Sequence, residues 1–168
     1  MAPTQTFLNI LLAMIHPGLY SCAATIVDRC LDLKDDLGVG KWSKAWRSKF
    51  LAICLVLNRV SPVHRDGTSS SPFGLDFLIS LGPTKGLTMN IPELGAKCSY
   101  GRGTILAFSG RGFEHGLEGF GSEGEWEGGR LCMAQFMCDE VFSHFNQKIS
   151  LAKLTQNNDG GHRVVYPH

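Results

Sequence analysis

The chain has no surplus of positive charge. Sixteen Lys and Arg against fifteen Asp and Glu give a formal net charge of +1 and a pI near 7.7. Those totals lack the basic footprint of tight, backbone-driven nucleic-acid binding, although they leave room for a local patch. Charged residues make up 18% and hydrophobic ones 43%, which excludes a largely disordered chain. None of the six cysteines forms a CxxC pair, and most sit in apolar runs such as "LAICLVL" and "RLCMAQFMC". That usage favours free buried thiols in a reducing compartment over a disulfide framework. No cysteine and histidine cluster has the spacing of a structural zinc site either. No Lys or Arg precedes Arg29, so "FLNILLAMI" lacks the basic start of a leader, and it is too short to span a bilayer. A packed amphipathic helix in an intracellular protein is expected there, with no membrane partner. Neither an internal repeat nor a long low-complexity segment is present.

What is there changes texture along the 168 residues, a length that suits one domain with a real core. From Thr6 to about Leu33 the apolar spacing is helical, and Pro17 and Gly18 of "HPGLY" should end one helix before a second over "SCAATIVDRCLDL". Residues 34 to 50 read as a polar connection carrying two tryptophans. Beyond residue 50, short runs rich in Ile, Leu, Val and Phe alternate with Gly, Pro and Ser: "LAICLVLN", "DFLISLG", "GLTMNIP", "TILAFSG" and "RLCMAQFMC". Runs of this length bounded by turn signals read as strands. Many short strands with tight turns imply a sandwich, jelly roll or barrel. The tail from about Gln147 to His168 reads as a peripheral extension.

Within this strand-rich part, "VSPVHRDGTSSSP" puts a histidine and an aspartate two residues apart at the end of an apolar run. If the strand of "LAICLVLN" continues through Val63, His64 and Asp66 project to one face and Arg65 to the other. They then offer two of the three groups of a 2-His-1-carboxylate iron site. His115 follows a Gly-bounded strand and turn in "YGRGTILAFSGRGFEHG" and can face that pair from a barrel mouth; the bland alternative is a solvated loop histidine. Arg130 opens the apolar run "RLCMAQF". A guanidinium at that place calls for an anion, and a bidentate carboxylate fits best. A surface arginine, or an ion pair with a glutamate of "EGEWE", are the plain alternatives. The joint occurrence of these elements favours the metal over any one of them taken singly.

The order H-x-D, distal His, then Arg resembles the iron(II)/2-oxoglutarate dioxygenases. The words "NILLAMIHPGLY", "LVLNRVSPVHRDGTSSSPFGLDFLISLG", "LGAKCSYGRGTILAFSGRGFEHG" and "RLCMAQFMCDEVFSHF" are similar to the TET/JBP-like dioxygenase domains of mushroom-forming fungi, over roughly residues 8 to 145. The resemblance implies an α+β, mainly β fold: a double-stranded β-helix (a cupin-like jelly roll) with N-terminal helices packed on the sheet. One domain would run over 1–146, with helices at about 6–33 and the β-helix core at about 50–143, and 147–168 would be its extension. By the same resemblance His64, Asp66 and His115 would bind Fe(II), and Arg130 would hold the distal carboxylate of 2-oxoglutarate. Dioxygen would be the co-substrate. Asn58 and Arg59 match the fungal pattern too and belong near the cofactor or substrate mouth, unless Asn58 only caps a turn.

The activity so implied is oxidation of a modified base such as 5-methylcytosine in DNA, or in RNA, by a monomer in the nucleus. Arg65 or Lys97 would then be the cation to meet phosphate, unless both are plain solvated charges. This chain departs from that pattern in its short, uncharged loop "GTSSSPFG" and in Ser69, five positions after His64, where animal TET proteins place a base-reading asparagine. Two alternatives follow from the departures: the same chemistry on a protein or small-molecule substrate, or a truncated relic without catalysis.

Overall fold

The computed structural model describes residues 2–32, 45–59, 61–67, 74–83, 85–119 and 129–144. They form a mixed helical and antiparallel-sheet structure that is mainly β. The chain divides into two compact units, one of Met1–Leu51 with Glu140–His168 and the other of Ala52–Asp139. The expected extension over 147–168 lies outside the described residues.

The first unit holds helices α1 (Ala2–Ile15) and α2 (Pro17–Asp32). Leu8 and Leu12 of α1, and Leu19, Ala23, Ile26 and Val27 of α2, recur at helical spacing and are all buried. Each large aliphatic side chain so buried contributes about 1.5–3 kcal/mol. Pro17 begins the second helix at once, where a gap through Tyr20 was expected. Proline at the first helical position gives up only an N–H that has no intrahelical partner anyway. The Leu19 N–H finds the His16 Nδ1 at 3.2 Å, so an imidazole caps the new helix. Asn9 ties the following segment to α1: its Nδ2 donates to the Arg47 carbonyl (2.8 Å) and its Oδ1 accepts from the Lys49 N–H (2.9 Å). No described helix is long and apolar enough to cross a membrane.

The second unit contains seven strands: β1 (Ala52–Leu57), β2 (Asp76–Ser80), β3 (Thr88–Ile91), β4 (Ala96–Ser99), β5 (Ile105–Phe108), β6 (Gly116–Glu118) and β7 (Leu131–Phe136). A short helix, α3 (Asp139–His144), follows β7. One sheet has the order β1-β7-β2-β5 and the other β4-β3-β6, with every pairing antiparallel. Alternation places Met89 and Ile91 of β3 inward while Thr88 and Asn90 are only half-buried. Met89 and Ile91 pack with Leu117, Phe108, Tyr100 and Cys132, so strands of both sheets share one core. β2 is buried on both faces, which explains its unbroken apolar run.

Five of these strands coincide with the apolar runs of the sequence. β4 and β6 do not, because "AKCS" and "GLE" are short and carry a charge each. A second difference matters more. β1 does not continue to Val63. It ends at Leu57, and Asn58 takes a left-handed conformation (φ 47°) that a non-glycine residue adopts at little cost only when it is Asn or Asp. Residues 61–66 then run along β6 instead: the Leu117 N–H bonds to the Ser61 carbonyl, and His64 and His115 form an antiparallel bridge. His64 and Asp66 therefore share a face, but as an extra edge of the three-stranded sheet rather than the end of β1.

Candidate metal centre

The bridge fixes the first two site residues directly opposite each other. The His64 N–H donates to the His115 carbonyl and the His115 N–H to the His64 carbonyl, both at 2.9 Å. One step along, the Asp66 N–H donates to the Gly110 carbonyl at 2.9 Å. The three side chains project together from this short ladder. The imidazole centroids are 4.5 Å apart. Asp66 Oδ1 stands 3.6 Å from His64 Nε2 and 3.9 Å from His115 Nε2. One ligand atom from each residue lies within 4.8 Å of the other two. Donors held at right angles about 2.1 Å from one ion are about 3.0 Å apart. Both His–Asp pairs stand within about an ångström of that spacing.

The tautomers suit ligation. His64 Nδ1 lies 2.7 Å from the Pro62 carbonyl and His115 Nδ1 lies 3.1 Å from the Phe113 carbonyl. A carbonyl accepts only, so each Nδ1 is the donor and each Nε2 is the nitrogen left facing Asp66. This is the orienting partner that metal-bound histidines use. His115 is buried, and burial holds its pKa below the usual histidine range despite the opposing pull of the Phe113 carbonyl and Asp66. Burial thus favours its neutral form, the form that binds a metal. Two imidazoles and one carboxylate suit a divalent first-row metal such as iron(II).

Arg130 is buried, just ahead of β7, and lines the same cavity of about 270 Å³ as the three ligands. Its Nη1 donates to the Arg59 carbonyl, while its Nε finds no hydrogen-bond partner among the described residues. A buried guanidinium with an unspent donor needs an acceptor, and an anionic ligand in the cavity supplies one. The alternative partners in "EGEWE" lie outside the described residues. The cavity wall between metal site and guanidinium is largely apolar, with Val56, Leu78, Met89 and Leu117 among its residues. Asn58 is placed differently. Its backbone N–H donates to the Arg130 carbonyl (2.9 Å), its side chain is exposed, and it is not among the residues that line the cavity. Arg59 does line it.

Three neighbours escaped the sequence reading. Asp76 opens β2 and is buried; its Oδ2 accepts from the Gly110 N–H (2.8 Å), and its Oδ1 has no partner among the described residues. Burial, opposed by the Gly110 hydrogen bond and reinforced by the Asp66 charge, pushes its pKa up to about 7. Gly110 itself lies so close to Asp66 that a Cβ there would stand 2.1 Å from Asp66 Oδ2. Glu93, in the turn after β3, pairs with Arg65 and accepts from the Glu114 N–H at 2.6 Å. A charge opening an apolar run singled out Arg130, and the same signal was available for Asp76 in "LDFLIS". The two cations expected to meet phosphate are both engaged: Arg65 with Glu93, and Lys97 with Glu118 at 2.8 Å.

No protein-family model and no curated protein matches this chain. Among solved structures, NgTET1 in complex with 5mC DNA is a distant neighbour with a TM-score of 0.47 and 15% identity. The similarity covers 68% of this chain and 42% of that one, so the chain corresponds to well under half of that protein.

Proposed function

We propose that this chain is an iron(II)- and 2-oxoglutarate-dependent dioxygenase built on a double-stranded β-helix. The observation that carries the proposal is the convergence of His64 Nε2, His115 Nε2 and Asp66 Oδ1 on a cavity also lined by a buried Arg130, whose Nε has no partner among the described residues. The strand order supports the fold reading. β1 falls on one sheet, residues 61–66 on the other and β2 back on the first; β3 and β4 then pair as a hairpin in the second sheet, and β5, β6 and β7 alternate again.

In this reading His64, Asp66 and His115 would hold the metal at the wall of the cavity that Arg130 also lines. Iron(II) with 2-oxoglutarate and dioxygen supplies oxidative decarboxylation to succinate and CO2 coupled to oxidation of a C–H bond. The residues supply position. The Pro62 and Phe113 carbonyls engage each Nδ1 and so aim both Nε2 atoms at the metal position, Arg130 would clamp the remote carboxylate of the 2-oxo acid, and the apolar wall would keep water from the space between. A modified base in nucleic acid, with 5-methylcytosine the first candidate, is the proposed substrate, following the motif resemblance. Such a base reaches the cavity only by leaving its stack. The engagement of Arg65 and Lys97 by carboxylates favours the second reading, the same chemistry on a protein side chain or small molecule, because it removes two cations from phosphate contact.

The test is succinate formation from 2-oxoglutarate by the full chain with Fe(II), run alone, with methylated and unmethylated DNA, and with a panel of metabolites. His64→Ala and Arg130→Ala should each abolish turnover. Stimulation by methylated DNA selects the first substrate class, and stimulation by a metabolite selects the second. Turnover unchanged in either variant would remove the proposed roles.

A further inference from the structure

One carboxylate touches both of the chain segments that carry the metal ligands. Pro92 cannot extend the ladder of β3, and the chain turns through Pro92–Leu94 to Gly95, whose left-handed conformation (φ 58°) and N–H bond to the Pro92 carbonyl (2.9 Å) close the turn. This presents Glu93 with its two oxygens directed to different places. Oε1 pairs with the Arg65 guanidinium, and Oε2 accepts the Glu114 N–H at 2.6 Å. Arg65 lies between His64 and Asp66, and Glu114 immediately precedes His115. An ordinary surface ion pair joins two side chains and does little for either. This one spans from a side chain on one ligand segment to the backbone of the other.

We infer that Glu93 is a positioning residue for the metal site, holding the H-x-D segment and the distal histidine in register from outside the cavity. The role rests on the metal-binding reading above. Its physical content is that the His64–His115 bridge is a single pair of hydrogen bonds at a sheet edge, which frays readily unless tied beyond its end. The Leu117 N–H bond to the Ser61 carbonyl ties one end, and at the other Glu93 adds a side-chain tie beside the Asp66 N–H bond to Gly110. Partners that orient metal ligands without touching the ion commonly alter affinity 10- to 100-fold when removed.

The experiment measures two quantities on the full chain: Co(II) affinity, followed by its visible absorption, and amide hydrogen exchange of peptides covering residues 61–67 and 113–117. Glu93→Ala should weaken Co(II) binding 10- to 100-fold and speed exchange in both peptides. Arg65→Met, which leaves the Glu114 contact intact, should give a smaller loss. Glu118→Gln breaks a comparable ion pair, Lys97 with Glu118, away from the ligands, and should leave Co(II) affinity within twofold. Unchanged exchange in Glu93→Ala, or faster exchange with unchanged Co(II) affinity, overturns the role. If the unmodified chain takes up no Co(II), the oxygenase reading fails, and the tie is decided by exchange alone.

Discussion

Gly110→Ala separates the metal site from the fold. A Cβ at Gly110 would stand 2.1 Å from Asp66 Oδ2, 3.0 Å from Asp66 Cγ and 2.9 Å from Asp76 Oδ2. Contacts below about 3.0 Å are not tolerated, so the Asp66 carboxylate must retreat by about 0.9 Å, the difference between 3.0 and 2.1. Metal ligands need placing to within about 0.5 Å, so the retreat removes Asp66 from bonding reach. Loss of metal affinity by at least 10- to 100-fold is expected. The fold should hardly notice. The displaced atoms are side-chain ends, φ at Gly110 is not in the left-handed region, and alanine restricts the unfolded chain by about 0.4–1 kcal/mol in compensation. Urea midpoints should thus stay within about 1 kcal/mol of the parent while Co(II) titration shows the loss. Gly82→Ala is the contrast. Its Cβ would meet backbone, Leu131 N at 2.5 Å and Gly129 O at 2.6 Å, so stability falls there first. Parental Co(II) affinity in a folded Gly110→Ala variant would refute the placement of Asp66 as a ligand.

Asp76→Asn carries a pH signature. The native carboxyl titrates at about 7 against 3.8 in the reference state, so between these values the folded chain binds more protons and stability falls as pH rises, levelling off above 7. Asparagine keeps an acceptor for the Gly110 N–H and removes the buried charge. Its advantage should be near zero at pH 4 and grow to roughly 4 kcal/mol or less by pH 8, read from denaturant midpoints. A flat difference across that range would deny the buried charge. Arg130→Lys shortens the reach and loses the planar fork, so 2-oxoglutarate binding by calorimetry should weaken roughly 100-fold with Co(II) affinity little changed; equal loss of both would make Arg130 structural. Gly116→Ala would press a Cβ to 2.8 Å from Val63 N, forcing residues 61–66 away from β6. Metal binding and amide protection at His64 should be lost together, and retention of either sinks the bridge.

Much of this was readable from one sequence, for identifiable reasons. β1, β2, β3, β5 and β7 announce themselves because each is an apolar run with Gly, Pro, Ser or Asn close to at least one end. β4 and β6 are set by their neighbours: Lys97 and Glu118 point away from the core and pair with each other, so their charge hides two strands that exist only in the sheet. The period-2 argument puts His64 and Asp66 on one face even though the strand assumed to carry them stops at Leu57. The face was right because any extended segment alternates, and the sheet was wrong because the turn at Asn58 leaves no composition signal beyond one asparagine. Glu93 and Gly110 were out of reach. Their importance lies in what they touch 20 or more residues away, and "IPEL" and "FSGRG" look like ordinary turns.

The candidate centre is also held together without need of an ion. His64 and His115 are positioned by mutual backbone hydrogen bonds, and each imidazole is oriented by the carbonyl two residues before it, Pro62 for one and Phe113 for the other. None of these contacts needs a metal. The apolar core of Met89, Ile91, Tyr100, Phe108, Leu117 and Cys132 joins strands of both sheets, and it supplies the cooperativity that metal-dependent miniature folds lack. Chelation should therefore leave the β unit folded, with the amides of His64 and His115 still protected. Added metal should stabilise only by mass action, about 2.7 kcal/mol at a hundredfold excess over Kd, with a midpoint that climbs steadily with concentration. If chelator instead unfolds the unit outright, the ladder does not place the ligands and the ion itself must assemble them.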